Sequence, residues 1–233
     1  TLDCHAPDLL LCAGDWGDPG EVPEKAIRAL TRRVRLLTVY GNHDDRHLLG
    51  RVHNKDGSPI LLPQGGTRRV GKITVAGVSG IWAKTRLGSR LNARWESAHR
   101  RNPSLTLDAW MKGKELPPYV TDDDVAQLAG KLARRRIDIM VRHACPSGLA
   151  DRTPQRGRGG QRCFRRLVDI VRPSLTLCGH LHALQRDDTR DGRIVLNTGY
   201  GASHQGWLIH RNARHWECTP LPGVEAAAVE EES

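Results

Sequence analysis

Short runs of apolar residues, each followed at once by a polar turn that contains glycine or histidine, recur along this chain of 233 residues. Such runs are typical of buried central strands in an α/β sheet. Four of these runs cover residues 9–13, 36–40, 137–141 and 175–178. Apolar residues at helical spacing between the runs predict helices over 23–33, 121–136 and 161–171, and a short helix over 45–49. The pattern therefore predicts an α/β fold.

Further strands are predicted where apolar and β-branched residues alternate. They form a meander over residues 60–63, 67–70 and 73–78 that residues 79–82 close, and two late strands over 194–199 and 206–210. The segment from 83 to 120 breaks this regularity, because it is basic and polar with tryptophans spread along it. We predict a long irregular insertion there, and we interpret its tryptophans as anchors to the rest of the fold.

Composition gives no reason to divide the chain. We expect a single domain over residues 1–223, followed by an acidic flexible tail over 224–233. No apolar run approaches the length of a membrane span. The six cysteines are scattered without any Cys-x-x-Cys spacing, which disfavours a zinc ribbon and fits a reducing cytoplasm.

The net charge of +10 admits two interpretations. It can indicate a polyanionic partner, or it can reflect an arginine-rich genome-wide composition. The arginines cluster at 32–35, 134–136 and 152–166. The first two clusters lie near the ends of predicted helices, where cations favour the helix dipole. The third directly follows the strand at 137–141, which makes it a candidate for binding a ligand.

Polar residues that can bind a metal follow each of the four buried runs. In chain order they are Gly14-Asp15, Gly41-Asn42-His43-Asp44, His143 and Gly179-His180-Leu181-His182. Open α/β sheets bind ligands at the carboxyl ends of their strands. We therefore expect these side chains to converge at one edge of the sheet and to form a metal site.

The order of these motifs resembles the calcineurin-like metallophosphoesterase superfamily, and the resemblance runs from about Asp8 to Gly199. It implies a four-layer α-β-β-α sandwich of the metallo-dependent phosphatase type, with two β-sheets face to face and helices outside. It also implies hydrolysis of a phosphoester at a binuclear site that holds two divalent transition metals. Nitrogen and oxygen ligands without thiolate suit Mn, Fe, Zn or Co, and among these metals we favour Mn.

Carried over residue by residue, the resemblance assigns a role to each motif. His43 would act on the leaving oxygen of the substrate, and Asp44 would orient its ring. The implied metal ligands are Asp15 as the bridge, Asn42, His143 and His180 on one cation, and His182 on the other.

One part of the family pattern is displaced in this chain. The family begins with Asp-x-His at the end of its first strand, and here Asp3-Cys4-His5 has those letters. Too few residues separate it from the next strand for a crossover helix. We therefore interpret residues 1–7 as the end of a helix and its turn, and expect the true Asp-x-His strand upstream of Thr1.

Three functions remain open. The first is hydrolysis of a small soluble phosphoester, by a phosphodiesterase or a phosphatase, in the cytoplasm and without a membrane. The second is a non-catalytic scaffold with a degenerate site, which the His43–Asp44 pair disfavours. The third is a nuclease that uses the basic loop at 152–166 on a nucleic acid.

We expect that loop or the 83–120 insertion to border the metal site, with Arg152, Arg156 or Arg158 binding a phosphate oxygen. The oligomeric state is not readable.

Overall fold

A computed structural model of the chain describes residues 5–112, 116–153, 157–213 and 215–222. The strands are β1 (Leu9–Cys12), β2 (Arg35–Thr38), β3 (Thr67–Val70), β4 (Ile73–Val78), β5 (Ile81–Trp82), β6 (Tyr119–Val120), β7 (Ile139–Arg142), β8 (Leu175–Cys178), β9 (Leu184–Asp188), β10 (Ile194–Thr198), β11 (Gln205–Asn212) and β12 (His215–Pro222). The helices are α1 (Glu24–Arg33), α2 (Arg46–Arg51), α3 (Gly88–Arg101), α4 (Leu107–Met111), α5 (Asp122–Leu132) and α6 (Arg162–Val171). A 3-10 turn covers Gly201–Ser203.

Six strands form the larger sheet, in the order β3-β4-β7-β8-β10-β9. The four inner strands are parallel, and both edge strands pair antiparallel with their neighbours. The parallel pair β1–β2 and the antiparallel hairpin β11–β12 lie against one face of this sheet across a shared apolar core. The parallel orientation places the carboxyl ends of β7 and β8 side by side.

The alternation of side chains along the strands explains the layers. Val141 faces the core between the sheets, whereas Met140 faces the helices α5 and α6 on the other side. In the β1–β2 pair, which we call the smaller sheet, Leu37 points inward, and Leu36 packs outward against α1 and α2. The result is the predicted α-β-β-α sandwich.

The predicted helices are confirmed with shifted ends. The helix predicted over 121–136 is α5, which ends at Leu132, and Thr121 caps its amino end by accepting from the Asp124 amide. Asp45 caps α2 in the same way, through the amide of Leu48. The strand predicted over 60–63 is wrong, because the structure has only an isolated bridge there, between Thr38 and Leu61.

The irregular insertion predicted over 83–120 is also wrong. It holds α3 and α4, and Trp95 packs against Trp110 with ring centroids 5.7 Å apart. Of the three tryptophans, Trp82 serves as an anchor, since its indole donates to Asp122 of α5 at 2.9 Å, whereas Trp95 and Trp110 contact each other within the segment. The sequence did not predict α3 because only Gly88 of this helix is buried, so the helix lacks the apolar stripe that usually identifies one.

Both ends of the chain bear on earlier predictions. His5 is helical and exposed, so it does not end a strand, whereas Asp3 and Cys4 lie outside the described residues. The predicted tail over 224–233 also lies outside them, and the single-domain division stays a prediction. None of the helices in the described part of the chain combines the length and the apolar character needed to cross a bilayer.

Candidate metal centre

The turns that follow β1, β2, β7 and β8 meet at one place. The first two strands belong to the smaller sheet and the last two to the larger one. The prediction that the residues converge at the edge of one sheet is therefore corrected. They converge where the carboxyl ends of two stacked sheets meet, because the sandwich brings both sets of turns to the same side.

His143 lies at the middle of this meeting point and is almost fully buried. Its Nε2 atom is 3.2 Å from Oδ1 of Asn42, 3.2 Å from Nδ1 of His180 and 3.3 Å from Oδ2 of Asp15. The ligand atoms of Asp15, His143 and His180 all lie within 4.8 Å of one another. Four of the five predicted metal ligands are thus brought together.

The other ring nitrogen of His143 determines what Nε2 can do. Nδ1 lies 2.7 Å from the carbonyl oxygen of Ala13. A carbonyl only accepts, so Nδ1 carries a proton and donates it, and in the neutral ring Nε2 presents a lone pair. Metal-binding histidines are commonly oriented in this way by a partner on the second nitrogen.

Electrostatics at the cluster favour a cation. Burial opposes the charge on Asp15, but hydrogen bonding outweighs it, including a bond from the His43 amide at 2.9 Å, and lowers the pKa of Asp15 to about 2. Burial lowers the pKa of His180, which favours its neutral, metal-binding form. A carboxylate, an amide oxygen and two imidazoles facing one another suit a divalent transition metal.

The backbone is bent to make this arrangement. Asp15, His180 and His182 have φ values of 59°, 67° and 51°, in the left-handed region. Each costs on the order of 1 kcal/mol for a residue other than glycine. Gly41 is required by close packing, because a Cβ there would collide with the Asp15 carboxylate and the His143 ring.

Asp44 ties two of the turns together. Its carboxylate accepts hydrogen bonds from the amides of Gly41 at 2.6 Å, Asp15 at 2.8 Å and Trp16 at 2.8 Å. Burial raises its pKa despite these bonds. The predicted contact between Asp44 and the His43 ring is therefore corrected, because the carboxylate is turned toward the backbone of the neighbouring turn.

Asp18 takes the place that the sequence analysis gave to Asp44. Both of its carboxylate oxygens lie 3.3 Å from Nδ1 of His43. This hydrogen bond raises the pKa of His43, whose ring is largely exposed to solvent. No signal in the sequence pairs Asp18 with His43, since an aspartate three residues after Asp15 can equally cap a helix start.

His182, the fifth predicted ligand, is set apart from the cluster. Its exposed ring stacks on Tyr200, with centroids 4.6 Å apart and planes inclined by 25°. The ligands grouped in the described part of the chain are Asp15, His143 and His180, with Asn42 beside them.

Two of the three arginines proposed to bind substrate hold the loop after β7 in place. Arg158 Nη1 donates to Asp151 at 2.6 Å, and Asp151 is fully buried. Arg152 Nη2 lies 3.3 Å from Asp187. Arg156 lies outside the described residues. Contact of these arginines with substrate stays a prediction. The ion pairs of Arg152 and Arg158 give these two a second role, which is to stabilise the loop after β7.

This second role predicts an effect on stability. Arg158→Ala leaves a buried carboxylate without its charged partner, so the free energy of unfolding is expected to fall by about 1–3 kcal/mol. Arg152→Ala is the matched control, with an expected loss below about 1 kcal/mol because Asp187 stays partly hydrated. Urea unfolding measures both. Equal losses in the two variants would contradict this assignment.

Comparisons with known proteins agree with this geometry. A family model described as calcineurin-like phosphoesterase matches residues 2–184. One similar solved structure is TT1561 of Thermus thermophilus, at 14% identity over 94% of this chain and 88% of that chain, with a TM-score of 0.59.

A second is a putative 5'-nucleotidase from Staphylococcus aureus in complex with alpha-ketoglutarate, at 10% identity over 94% of this chain and 45% of that chain, with a TM-score of 0.51. These identities indicate a shared fold. No curated protein matches the sequence.

Proposed function

Because the chain belongs to the calcineurin-like phosphoesterase family, we propose that it is a metal-dependent hydrolase of phosphoesters whose cation is held by Asp15, Asn42, His143 and His180. The observation that carries this proposal is the set of three ligand atoms lying 3.2–3.3 Å from Nε2 of His143, whose other nitrogen is fixed by the Ala13 carbonyl. A bound divalent cation would offset the charge of the phosphate and lower the pKa of a bound water.

The finer proposal is a binuclear site. Asp15 would bridge two cations, His182 would serve the second one, and Mn is favoured among Mn, Fe, Zn and Co. Support comes from the position of His182 two residues after His180 in the same turn, with both backbones in the left-handed region. To bind the second cation, the ring of His182 would either keep its stacking contact with Tyr200 or break it.

His43 is proposed as the group that acts on the leaving oxygen. Its Nδ1 is held by Asp18, which leaves Nε2 for the substrate. Asp18 favours the protonated ring, and a protonated ring can donate to a departing alkoxide. A purely structural scaffold would have no use for this exposed pair, so the pair favours an enzyme. The cytoplasmic location stays a prediction from cysteine usage.

The test is hydrolysis of p-nitrophenyl phosphate and bis-p-nitrophenyl phosphate by metal-stripped protein to which Mn²⁺, Fe²⁺, Zn²⁺ or Co²⁺ is returned. We expect turnover that depends on the cation and is lost in Asp15→Asn. The preferred ester separates a phosphatase from a phosphodiesterase. Turnover that persists in excess chelator would contradict the proposal, and metal binding without turnover of either ester would favour the scaffold.

A further inference from the structure

One helical segment carries half of the net charge of this protein. Residues 83–112 contain seven basic and two acidic residues, a net charge of +5 within a chain of +10. We call this segment, which contains α3 and α4, the helical arm. The basic cluster singled out in the sequence lies elsewhere, at 152–166, and its Arg152 and Arg158 are engaged in ion pairs.

The helical arm leaves the larger sheet beside the metal centre. Val78 at the end of β4 pairs with Arg142 at the end of β7, and His143 follows directly. Chain segments at the foot of the arm are bonded to the residues around the Asn42–His43 turn. The amide of Gly80 donates to the Tyr40 carbonyl at 2.8 Å, and Arg46 donates to the Leu116 carbonyl at 2.6 Å.

The base of the arm is fixed in place. Leu87 is buried, and Gly88 packs so closely on the Tyr119 ring that a Cβ would collide with it. Arg86 pairs with Asp124 of α5. Within the arm His99 bonds the Leu105 carbonyl at 3.0 Å, in addition to the contact between the tryptophans of α3 and α4.

Three exposed arginines form a stripe along α3. Arg90, Arg94 and Arg101 lie within about 40° of one another around the helix axis and span about 16 Å of it. Arg101 donates to Ser97, and none of the three pairs with an acidic residue among those that the structure describes. We call these three residues the basic stripe.

Helix energetics account for Arg101, which stands in the last turn of α3, but not for Arg90 and Arg94. The first turn of α3 contains no acidic residue, and Arg90 stands there at the positive end of the helix dipole. Arg90 and Arg94 are like charges four residues apart, which destabilises an isolated helix. Residues placed against the preferences of their own helix are better explained by an anionic partner.

We propose that the basic stripe binds the phosphate backbone of a single-stranded nucleic acid and leads it to the metal centre. This inference rests on the proposed function and names its substrate class as nucleic-acid phosphodiesters. Guanidinium groups bind phosphate oxygens in pairs, and a row of them follows a strand over several phosphates. Trp82 at the foot of the arm is 37% exposed and offers a ring for base stacking.

The packing of α3 favours a nucleic acid over a lipid surface. A helix that lies on a membrane must insert an apolar face. The largest apolar residue of α3, Trp95, instead packs on Trp110 and His99 within the arm. The face that carries the basic stripe has charge without interleaved large apolar side chains.

The stripe variant and its control remove the same charge from different places. The stripe variant is Arg90→Gln, Arg94→Gln and Arg101→Gln. The control variant is Lys72→Gln, Arg134→Gln and Arg190→Gln. These control residues are exposed and lie near the amino ends of β4, β7 and β10, at the opposite end of the strands from the metal centre.

Binding is measured by fluorescence anisotropy with a labelled oligothymidylate over a salt series, on purified protein with and without EDTA. We expect the slope of log affinity against log salt to decrease by about 2 in the stripe variant, at about 0.7 for each lost phosphate contact. The control variant should keep the wild-type slope. The variant Arg90→Lys, Arg94→Lys and Arg101→Lys should also keep the wild-type slope, and thermal unfolding verifies that each variant is folded.

Three outcomes would overturn the inference. They are equal losses in the stripe and control variants, binding of duplex as tight as binding of single strand, and a stripe-dependent affinity for phosphatidylserine vesicles in place of the oligonucleotide. Because binding is measured separately from hydrolysis of the nitrophenyl esters, a failure of the inference and a failure of the proposed function give different results.

Discussion

His143→Ala is expected to abolish high-affinity metal binding, with a loss of more than about 100-fold, since removing even an outer partner of a ligand typically costs 10- to 100-fold. The reason is geometric, because the other ligand atoms all approach Nε2 of this residue. Metal content by mass spectrometry and turnover of the nitrophenyl esters should fall together. His210→Ala, at an exposed histidine of β11, is the matched control and should change neither.

Because His143 is buried, its replacement also leaves a cavity. Asn42→Ala tests the same centre at a partly exposed position and removes one oxygen ligand. It should weaken metal binding less than His143→Ala and leave the free energy of unfolding nearly unchanged. Full metal occupancy in both variants would show that the cation is held elsewhere.

His43→Ala is expected to reduce turnover by about 100- to 10,000-fold, the usual contribution of a general acid or base. Metal content should stay at the wild-type value, because the hydrogen bond that links His43 to the proposed ligand Asp15 comes from the backbone amide, and alanine keeps that amide. Steady-state kinetics with parallel metal analysis measures both quantities.

The leaving group provides a sharper form of this test. Protonation matters more for a poor leaving group, so the loss in His43→Ala should be larger with an alkyl phosphate than with a nitrophenyl phosphate. Asp18→Asn should show a smaller loss with the same dependence, since it acts only through the ring of His43. Loss of metal in His43→Ala, or a loss independent of the leaving group, would contradict the assignment.

The strands of the site could be predicted because each run is mostly apolar, and a strand that is buried on both faces shows a nearly continuous apolar run. The convergence of four ligands followed from their position after those runs. Their division between two sheets could not be predicted, since the pairing of β1 with β2 and of β7 with β8 depends on contacts distant in the chain.

The direction in which a side chain points was harder to predict from the sequence than the turn in which it lies. Asp18 and Asp44 both lie in polar turns close to His43, and spacing does not distinguish a carboxylate that faces a ring from one that faces backbone amides. His180 and His182 share one turn in the same way, yet only the first faces His143. Sequence reasoning missed α3 because its buried surface is small and its one tryptophan stands among arginines.

The division of the ligands between two sheets has a thermodynamic consequence. Asp15 and Asn42 follow strands of the smaller sheet, whereas His143 and His180 follow strands of the larger one. A cation held by all four would act as a crosslink between the layers, and the layers could not separate without releasing it. By linkage, a free cation at 100 times its dissociation constant adds about 2.7 kcal/mol to the free energy of unfolding. The contact between the two sheets would then be stabilised by the same cation that the proposed reaction needs, and the concentration of free metal would set part of the free energy of unfolding.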